Sequence, residues 1–273
     1  MEIIKKNELI NIAREIRIDI VKMLTKSKSG HPGGSLSITD IISYLYFHAM
    51  NVDLSGTDAD RDRFVLSKGH AAPALYATLA KKGFFDRGTL NTLRHIDSKL
   101  QGHPHRLDTY GVDASTGSLG QGLSIAVGMG LGLRLDKLTS KIYVVLGDGE
   151  SQEGQIWEAA MSAGFRKLNN LCVFLDYNNL QIDGKVSEIK DILPITNKWE
   201  SFNWNVVEID GHNFDEIDNA VVNFKKEKEK PTLIVSKTIK GKGVSFMENN
   251  VDFHGVTPNE DELLIALRDL RNG

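Results

Sequence analysis

The chain has 273 residues, a net charge of −3 at neutral pH, 41% hydrophobic residues and 25% charged ones. That balance leaves no electrostatic footprint for nucleic acid or an anionic membrane, and the length is enough to bury roughly three quarters of the unfolded surface in one domain, residues 1–273. The single cysteine, Cys172, excludes an intrachain disulfide, and its setting in "NLCVFLD" predicts a buried thiol in a reducing cytoplasm.

In chain order, apolar residues at helical spacing predict a helix over residues 7–26. The Gly/Ser/Pro stretch "KSKSGHPGGS" cannot continue it and is expected as a loop. "SITDIISYLYFHAM" predicts a second helix. "DRFVLSKGHAA" then reads as a strand, a turn and a helix start. "GSLGQGLSIAVGMGLGLRL" is helix-like but dense in Gly and Ala, a composition that lets another backbone come close. "KIYVVLGDG" (strand), "QIWEAAMSAGFRKL" (helix) and "NLCVFLDYNN" (strand) follow. Beyond a long loop come "WNVVEIDGH" (strand), "FDEIDNAVVNFKKEK" (helix) and "PTLIVSKT" (strand), with "KKEKEK" as a solvated helix end. The strands are short, continuous and rich in Val, Ile and Leu, as when both faces of a sheet are covered. Their alternation with helices predicts an α/β fold, a doubly wound and mostly parallel sheet with helices on both faces. No run approaches membrane-spanning length, and the charged start "MEIIKKNELINIAREI" lacks the apolar core of a secretion signal.

The junction "IYVVLGDGESQEG" points to chemistry. Ligands of an open parallel sheet bind beyond the carboxyl ends of its strands. Asp148 stands at one such end and Asn178 at the next, one crossover later, so the two strands are expected as neighbours. A carboxylate and an amide oxygen suit a hard cation such as Mg²⁺ or Ca²⁺ and not zinc, which would want His or Cys. Two protein oxygens cannot fill such a shell, and phosphate oxygens are the usual complement. Gly149 would let the backbone approach that phosphate, with a helix from about Gln155 just beyond. Taken alone, Gly-Asp-Gly is as well explained by a helix cap and Asn-Asn by a turn. Their occurrence one crossover apart favours a metal-bound diphosphate. No Gly-x-Gly-x-x-Gly opens a helix after the first strand, which disfavours a dinucleotide site.

Of the eight histidines, four lie in stretches with Gly or Pro: His31 in "SGHPGG", His70 in "KGHAA", His103 in "GHPHR" and His254 in "FHG". Singly each is a packing or loop residue; together, beside small residues, they favour a shared site. His48 and His95 are expected to be structural, and His105 and His212 are left open.

"GDGESQEGQIWEAA" with "LDYNNLQIDG" resembles the thiamine-diphosphate motif. "SGHPGGSLS", "LSKGHAAPALYA", "GHP", "STGSLGQGLSIAVGMGLG" and "FMENNVDFHG" are similar to transketolase segments in the same order, over nearly the whole chain. The resemblance implies the diphosphate-binding domain of the thiamine-diphosphate fold. Its metal ligands would be Asp148, Asn178 and the backbone carbonyl of Leu180, with Mg²⁺ as the ion and Ca²⁺ or Mn²⁺ as substitutes. His70, Gly117, Ser118, Leu119, Asp148, Gly149, Asn178 and His254 would touch thiamine diphosphate. His31, His103 and His254 would face the sugar and handle its hydroxyl protons, a task that imidazole suits near neutrality. Glu153 and Glu158 would lie at a subunit interface.

Transketolases usually carry a second cofactor-binding domain, which supplies a glutamate to the aminopyrimidine, and then a third domain. The chain therefore resembles the separately encoded N-terminal subunit of a split transketolase. The resemblance implies a C-terminal partner subunit, an α2β2 assembly and sugar-phosphate substrates, with no nucleic acid or membrane partner. Neighbouring alternatives are a 1-deoxyxylulose-5-phosphate synthase-like enzyme, an unusual ketose substrate, the α subunit of a 2-oxo-acid dehydrogenase, and a non-catalytic cofactor-fold protein. The histidine motifs and the intact Asp148 and Asn178 speak for transketolase.

Overall fold

The computed structural model describes residues 1–273. Helix α1 (Ile3–Ser27) starts before the expected residue 7 and ends where Lys28 turns left-handed, with φ 51°. A short helix, α2 (Pro32–Ser37), comes before the expected helix over "SITDIISYLYFHAM", and that helix is itself only α3 (Thr39–Tyr44) followed by a wide turn, Leu45–Ala49. Two causes are local. Pro32 starts a helix inside the stretch expected as a loop, since its fixed φ suits the first helical position. The Ser35 and Thr39 hydroxyls then donate to the carbonyls of His31 and Ser35, competing with the helical ladder.

β1 (Arg63–Leu66), α4 (Ala72–Lys82), α5 (Gln121–Leu135), β2 (Ile142–Gly147), α6 (Gly154–Phe165) and β3 (Leu171–Tyr177) follow in the predicted order. The helix-like stretch from Gly117 loses its first turn, because Gly120 at φ 87° lies outside α5. The expected long loop after β3 carries a small hairpin, β4 (Leu180–Gln181) with β5 (Gly184–Lys185), then α7 (Val186–Ile189) and α8 (Ile195–Ser201). β6 (Asn205–Asp210), α9 (Phe214–Lys226) and β7 (Thr232–Lys237) complete the predicted elements. The tail, given no element from the sequence, forms α10 (Glu260–Asn272). A capping box opens it: Glu262 N–H donates to Asn259 Oδ1 at 2.9 Å, and Asn259 N–H to the Glu262 carboxylate at 2.8 Å.

Five strands form one parallel sheet in the order β1-β2-β3-β7-β6. Successive residues of the central strands face opposite ways. Tyr143, Val145, Cys172, Phe174 and Ile234 pack against α1, α3, α4, α9 and α10. Val144, Leu146, Val173, Leu175, Leu233 and Val235 pack against α5, α6 and α8. Both faces are therefore covered, which is why these strands carry no polar alternation. Cys172 is fully buried among them.

Parallel strands present all their carboxyl ends on one edge, and a buried charge cluster fixes the helices around that edge. Arg17 of α1 donates both ends of its fork to Asp40 of α3, at 2.9 and 2.6 Å. His212, beyond β6, accepts the Ile239 N–H on Nε2 at 2.9 Å, so its proton sits on Nδ1, 2.7 Å from Asp40. Burial alone would raise the Asp40 carboxyl; the Arg17 charge and the His212 bond outweigh it and hold it at about 2. His212, left open from the sequence, is thus a structural tie between α3 and the loop after β7. Asp40→Asn leaves Arg17 buried without its counter-charge and is expected to cost about 3–5 kcal/mol by denaturant unfolding at pH 7. A loss below 1 kcal/mol would show that the cluster does not hold the helices.

Candidate functional site

β2 runs into Gly147-Asp148-Gly149 and β3 into Asp176-Tyr177-Asn178, in register with Gly147 opposite Asp176. Above these ends opens a cavity of about 350 Å³. Asp148 is 3% exposed in its wall. Its Oδ1 accepts the Gly149 N–H at 2.8 Å, and its Oδ2 accepts the N–H groups of Asn178 and Asn179 at 3.0 and 2.5 Å. Capping and cavity lining are therefore both properties of this aspartate. Burial, and then the nearby Asp176, push its carboxyl up to about 6. Asn178 Oδ1 accepts the Leu180 N–H at 3.1 Å, and the Leu180 carbonyl accepts from Lys240 Nζ at 2.8 Å. The helix expected from about Gln155 is α6, which begins at Gly154 after a short turn, Gly149–Gln152.

Four charged groups that sequence reasoning did not single out, Asp176, Lys68, Glu150 and Lys240, hold this edge together. Asp176 is fully buried and accepts from Lys68 Nζ at 2.5 Å, Ser37 Oγ at 2.8 Å, Thr238 Oγ1 at 2.5 Å and Asn178 Nδ2 at 2.9 Å. Burial opposes its ionisation, but the Lys68 charge and these bonds keep its carboxyl below the usual range. Glu150 accepts from Ser67 Oγ at 2.5 Å, Gly120 N–H at 2.9 Å and Gly147 N–H at 3.0 Å, so one buried carboxylate joins the ends of β1 and β2 to the start of α5. Lys240 is buried, and its amine donates only to the Leu180 carbonyl and, at 2.7 Å, to His254 Nδ1. Burial and then the Lys68 charge lower it to about 8. The available signal was a charge inside an apolar run, Asp176 in "CVFLD", which implies a buried partner.

His31, His70 and His254 come together as expected. His70 and His254 stack with ring centroids 5.3 Å apart, and His31 meets both edge-on at 5.2 and 5.6 Å. His31 is the residue that precedes Pro32 at the start of α2, not a free loop residue. Burial is the first cause that lowers all three. His31 falls to about 4 and His254 to about 3, where Lys240 adds to the effect, and His70 lies well below its ordinary value. All three are neutral at pH 7, and the bond from Lys240 leaves the His254 proton on Nε2. His31 Nδ1 is buried without a partner.

His103 does not join the ring cluster. It is exposed and lies across Gly117, where a Cβ would come within 3.1 Å of its ring. Gly117 and Leu119 line the cavity, whereas Ser118 faces the neighbouring groove with His103. Glu153 stands at the cavity rim; it and Glu158 on α6 are exposed. His48 packs on Tyr44 beside Asp218, a structural setting as expected. His95 is exposed in a turn, not in a helix, and His105 sits 2.7 Å from Asp108 at the surface.

The donors fit an anion. Lys240 has neutral acceptors only, His31 retains an unused buried nitrogen, and Gly149 keeps the turn free of a side chain that would meet Gln181 at 3.2 Å. Asp148, Asn178 and Leu180 share the cavity wall, and their carboxylate, amide and carbonyl oxygens are donors of the kind that could hold a hard divalent cation.

A parallel sheet with this edge defines a thiamine-diphosphate-binding domain: the family described as "Transketolase, thiamine diphosphate binding domain" matches residues 5–270. The chain belongs to the transketolase family. It is 47% identical over 96% of its own length, and 96% of the relative's, to the 6-deoxy-6-sulfo-D-fructose transketolase subunit SqwG of Clostridium sp. (strain MSTE9). It is 40% identical to an apulose-4-phosphate transketolase subunit of Phocaeicola vulgatus, covering 92% of this chain and 89% of that one. The transketolase structure from Campylobacter jejuni superposes with a TM-score of 0.89 at 33% identity, over 99% of this chain and 43% of that chain. The chain thus matches transketolase subunits over nearly their full length and less than half of longer transketolases.

The buried Lys240 amine, which has no carboxylate partner, gives a pH test. Because the folded pKa of Lys240 is lowered to about 8, the unfolded state binds more protons between that pH and the ordinary lysine value. Stability should therefore rise as pH increases through this window. Lys240→Met is expected to remove that rise and to weaken binding of inorganic pyrophosphate about tenfold or more in calorimetry. An unchanged pH slope together with unchanged pyrophosphate affinity would contradict the assignment.

Proposed function

We propose that the chain is the diphosphate- and metal-binding subunit of a two-chain transketolase, moving a two-carbon ketol unit from a ketose phosphate to an aldose phosphate. One observation carries this reading: hard oxygen donors, an uncompensated lysine and packed neutral imidazoles line a single cavity at the strand ends. Asp148, Asn178 and the Leu180 carbonyl hold Mg²⁺, with Ca²⁺ or Mn²⁺ as substitutes. Lys240 and the backbone around Gly117, Leu119 and Gly149 bind the diphosphate, with Ser118 at the margin. Thiamine diphosphate, when bound, supplies the nucleophilic carbon and the electron sink.

The chain's own residues then handle protons and orientation. Burial keeps His31 and His254 neutral; His31, with an unused nitrogen, accepts a proton from a sugar hydroxyl and returns it, while His254, whose Nδ1 accepts from Lys240, presents its Nε2–H to the sugar oxygen. His70, stacked on His254, orients that ring and contacts the cofactor. His103, at the rim, reaches the sugar from the side of Gly117.

The face formed by α5 and α6 is read as the seat of partner chains. Leu135 and Phe165 are 83% and 81% exposed there, Gly128 and Gly132 have open space above them, and Glu153 and Glu158 stand free. An obligate contact of this kind buries roughly 2,000–5,000 Å². The reading is an α2β2 assembly in the cytoplasm, with residues 1–273 as one unit and a partner that grips the aminopyrimidine. The identity to the sulfofructose subunit favours a second substrate reading, a ketose whose distal anion is a sulfonate and not a phosphate.

Two measurements test this. Asp148→Ala removes the charged metal ligand and should lower Mg²⁺-dependent retention of thiamine diphosphate by at least about 10–100-fold, since even outer-shell changes cost that much; unchanged retention would refute the metal site. A ketol-transfer assay on the chain, with the candidate partner titrated in and both phosphate and sulfonate ketoses as donors, should show activity that saturates at one partner per chain. Full turnover by the chain alone would sink the two-chain reading.

A further inference from the structure

Arg94 is absent from the cavity wall, yet it touches both segments that lead to the outer histidines. It is half-buried and has a left-handed backbone with φ 59°, uncommon for a long side chain. Its N–H donates to the Leu100 carbonyl at 2.8 Å, closing a turn that brings the side chain back over Gly102. Nη1 then donates to Ser29 Oγ at 2.9 Å, and Nη2 makes a longer bond to the Gly102 carbonyl at 3.5 Å. A Cβ on Gly102 would come within 2.9 Å of the guanidinium, so that plane lies directly on the backbone there. Ser29 is two residues before His31, and Gly102 immediately precedes His103.

We propose that Arg94 is a positioning residue that staples the segment entering His31 to the segment entering His103, holding the two imidazoles at a fixed separation on one side of the cleft. The proposal rests on the ketol-transfer reading, in which these two histidines meet the sugar. The guanidinium bonds only to neutral oxygens, so its positive charge acts on its neighbours. For both histidines burial is the first cause of a lowered pKa and Arg94 the second. The other groups facing His31 are His103 from the same segment as Gly102, Lys240 and His254 from the loop after β7, and His70 from the turn after β1. Arg94 therefore sets geometry through its fork and protonation state through its charge, and two substitutions separate these.

Arg94→Gln keeps an amide donor but removes the charge. Arg94→Lys keeps the charge but offers no planar fork to hold two segments. Histidine NMR titrations of the full chain, assigned with His31→Gln and His103→Gln, should show the His31 and His103 midpoints rising by roughly 0.5–1 pH unit in Arg94→Gln, with His48 unmoved. In the reconstituted enzyme the acid limb of kcat/KM should move up with them. Arg94→Lys should leave that limb in place and lower kcat about tenfold or more through misplacement. Thiamine diphosphate retention should match wild type in both variants. Unmoved histidine midpoints in Arg94→Gln, wild-type turnover in Arg94→Lys, or loss of cofactor retention in both would each overturn the proposal. If the wild-type pair lacks ketol transfer, the functional reading fails, while the NMR titrations still decide whether Arg94 acts on the two histidines.

Discussion

The buried ion pair between Lys68 and Asp176 is the constraint on which the site depends. Asp176 ends the central strand β3 with no exposure to solvent, and a carboxylate in that position is tolerable only with its bonds filled. It fills them with Lys68 from the end of β1, Ser37 from α2, Thr238 from beyond β7 and the Asn178 side chain. Segments from four parts of the chain thus meet at one charge beneath the cavity. Glu150 repeats the device along the same edge, binding the end of β2 to the start of α5. The floor of the cavity is a network of satisfied charges, the arrangement that fixes a polar site in one geometry.

Above that floor the balance of charge is left incomplete. Lys68 is neutralised from below, but Lys240 is not, and burial lowers it towards neutrality. Asp148 faces the complementary problem, a carboxylate pushed upward by burial and by Asp176. An anion beside Lys240 and a cation beside Asp148 would relieve both together, and a metal diphosphate has that charge pattern. The same burial keeps the three packed imidazoles uncharged beside Lys240.

The surface separates into two kinds of face. Gly122 presses against Ser67 so closely that a Cβ would come within 2.5 Å, whereas Gly128 and Gly132 on the same helix have nothing above them. The small residues of α5 are thus packed closely on its inner side and open on its outer side. Relatives of similar length are transketolase subunits, and in the longer transketolases this chain's counterpart spans 40% of the rat enzyme.

The sequence by itself determined the sheet, because runs such as "IYVVLG" and "LCVFLD" are apolar throughout and sit between helical stretches, as strands covered on both faces do. It also placed Asp148 and Asn178 together, since carboxyl ends of neighbouring parallel strands must share an edge, and it marked the histidine cluster by its small flanking residues. What it could not show were contacts between distant segments. Lys68 and Lys240 lie far apart in the chain and look like ordinary surface lysines until folding buries them beside Asp176 and His254. His103 and His31 carry similar motifs, yet only His31 enters the ring cluster, because the short helix behind Pro32 points it inward while Gly117 keeps His103 at the rim. The missed breaks after Ser37 and before Gln121 have local causes, in hydroxyls that bond back to the backbone and a left-handed glycine. The pairing of buried charges has none: it is decided by which segments the sheet brings within hydrogen-bond distance, and only the tertiary structure sets that.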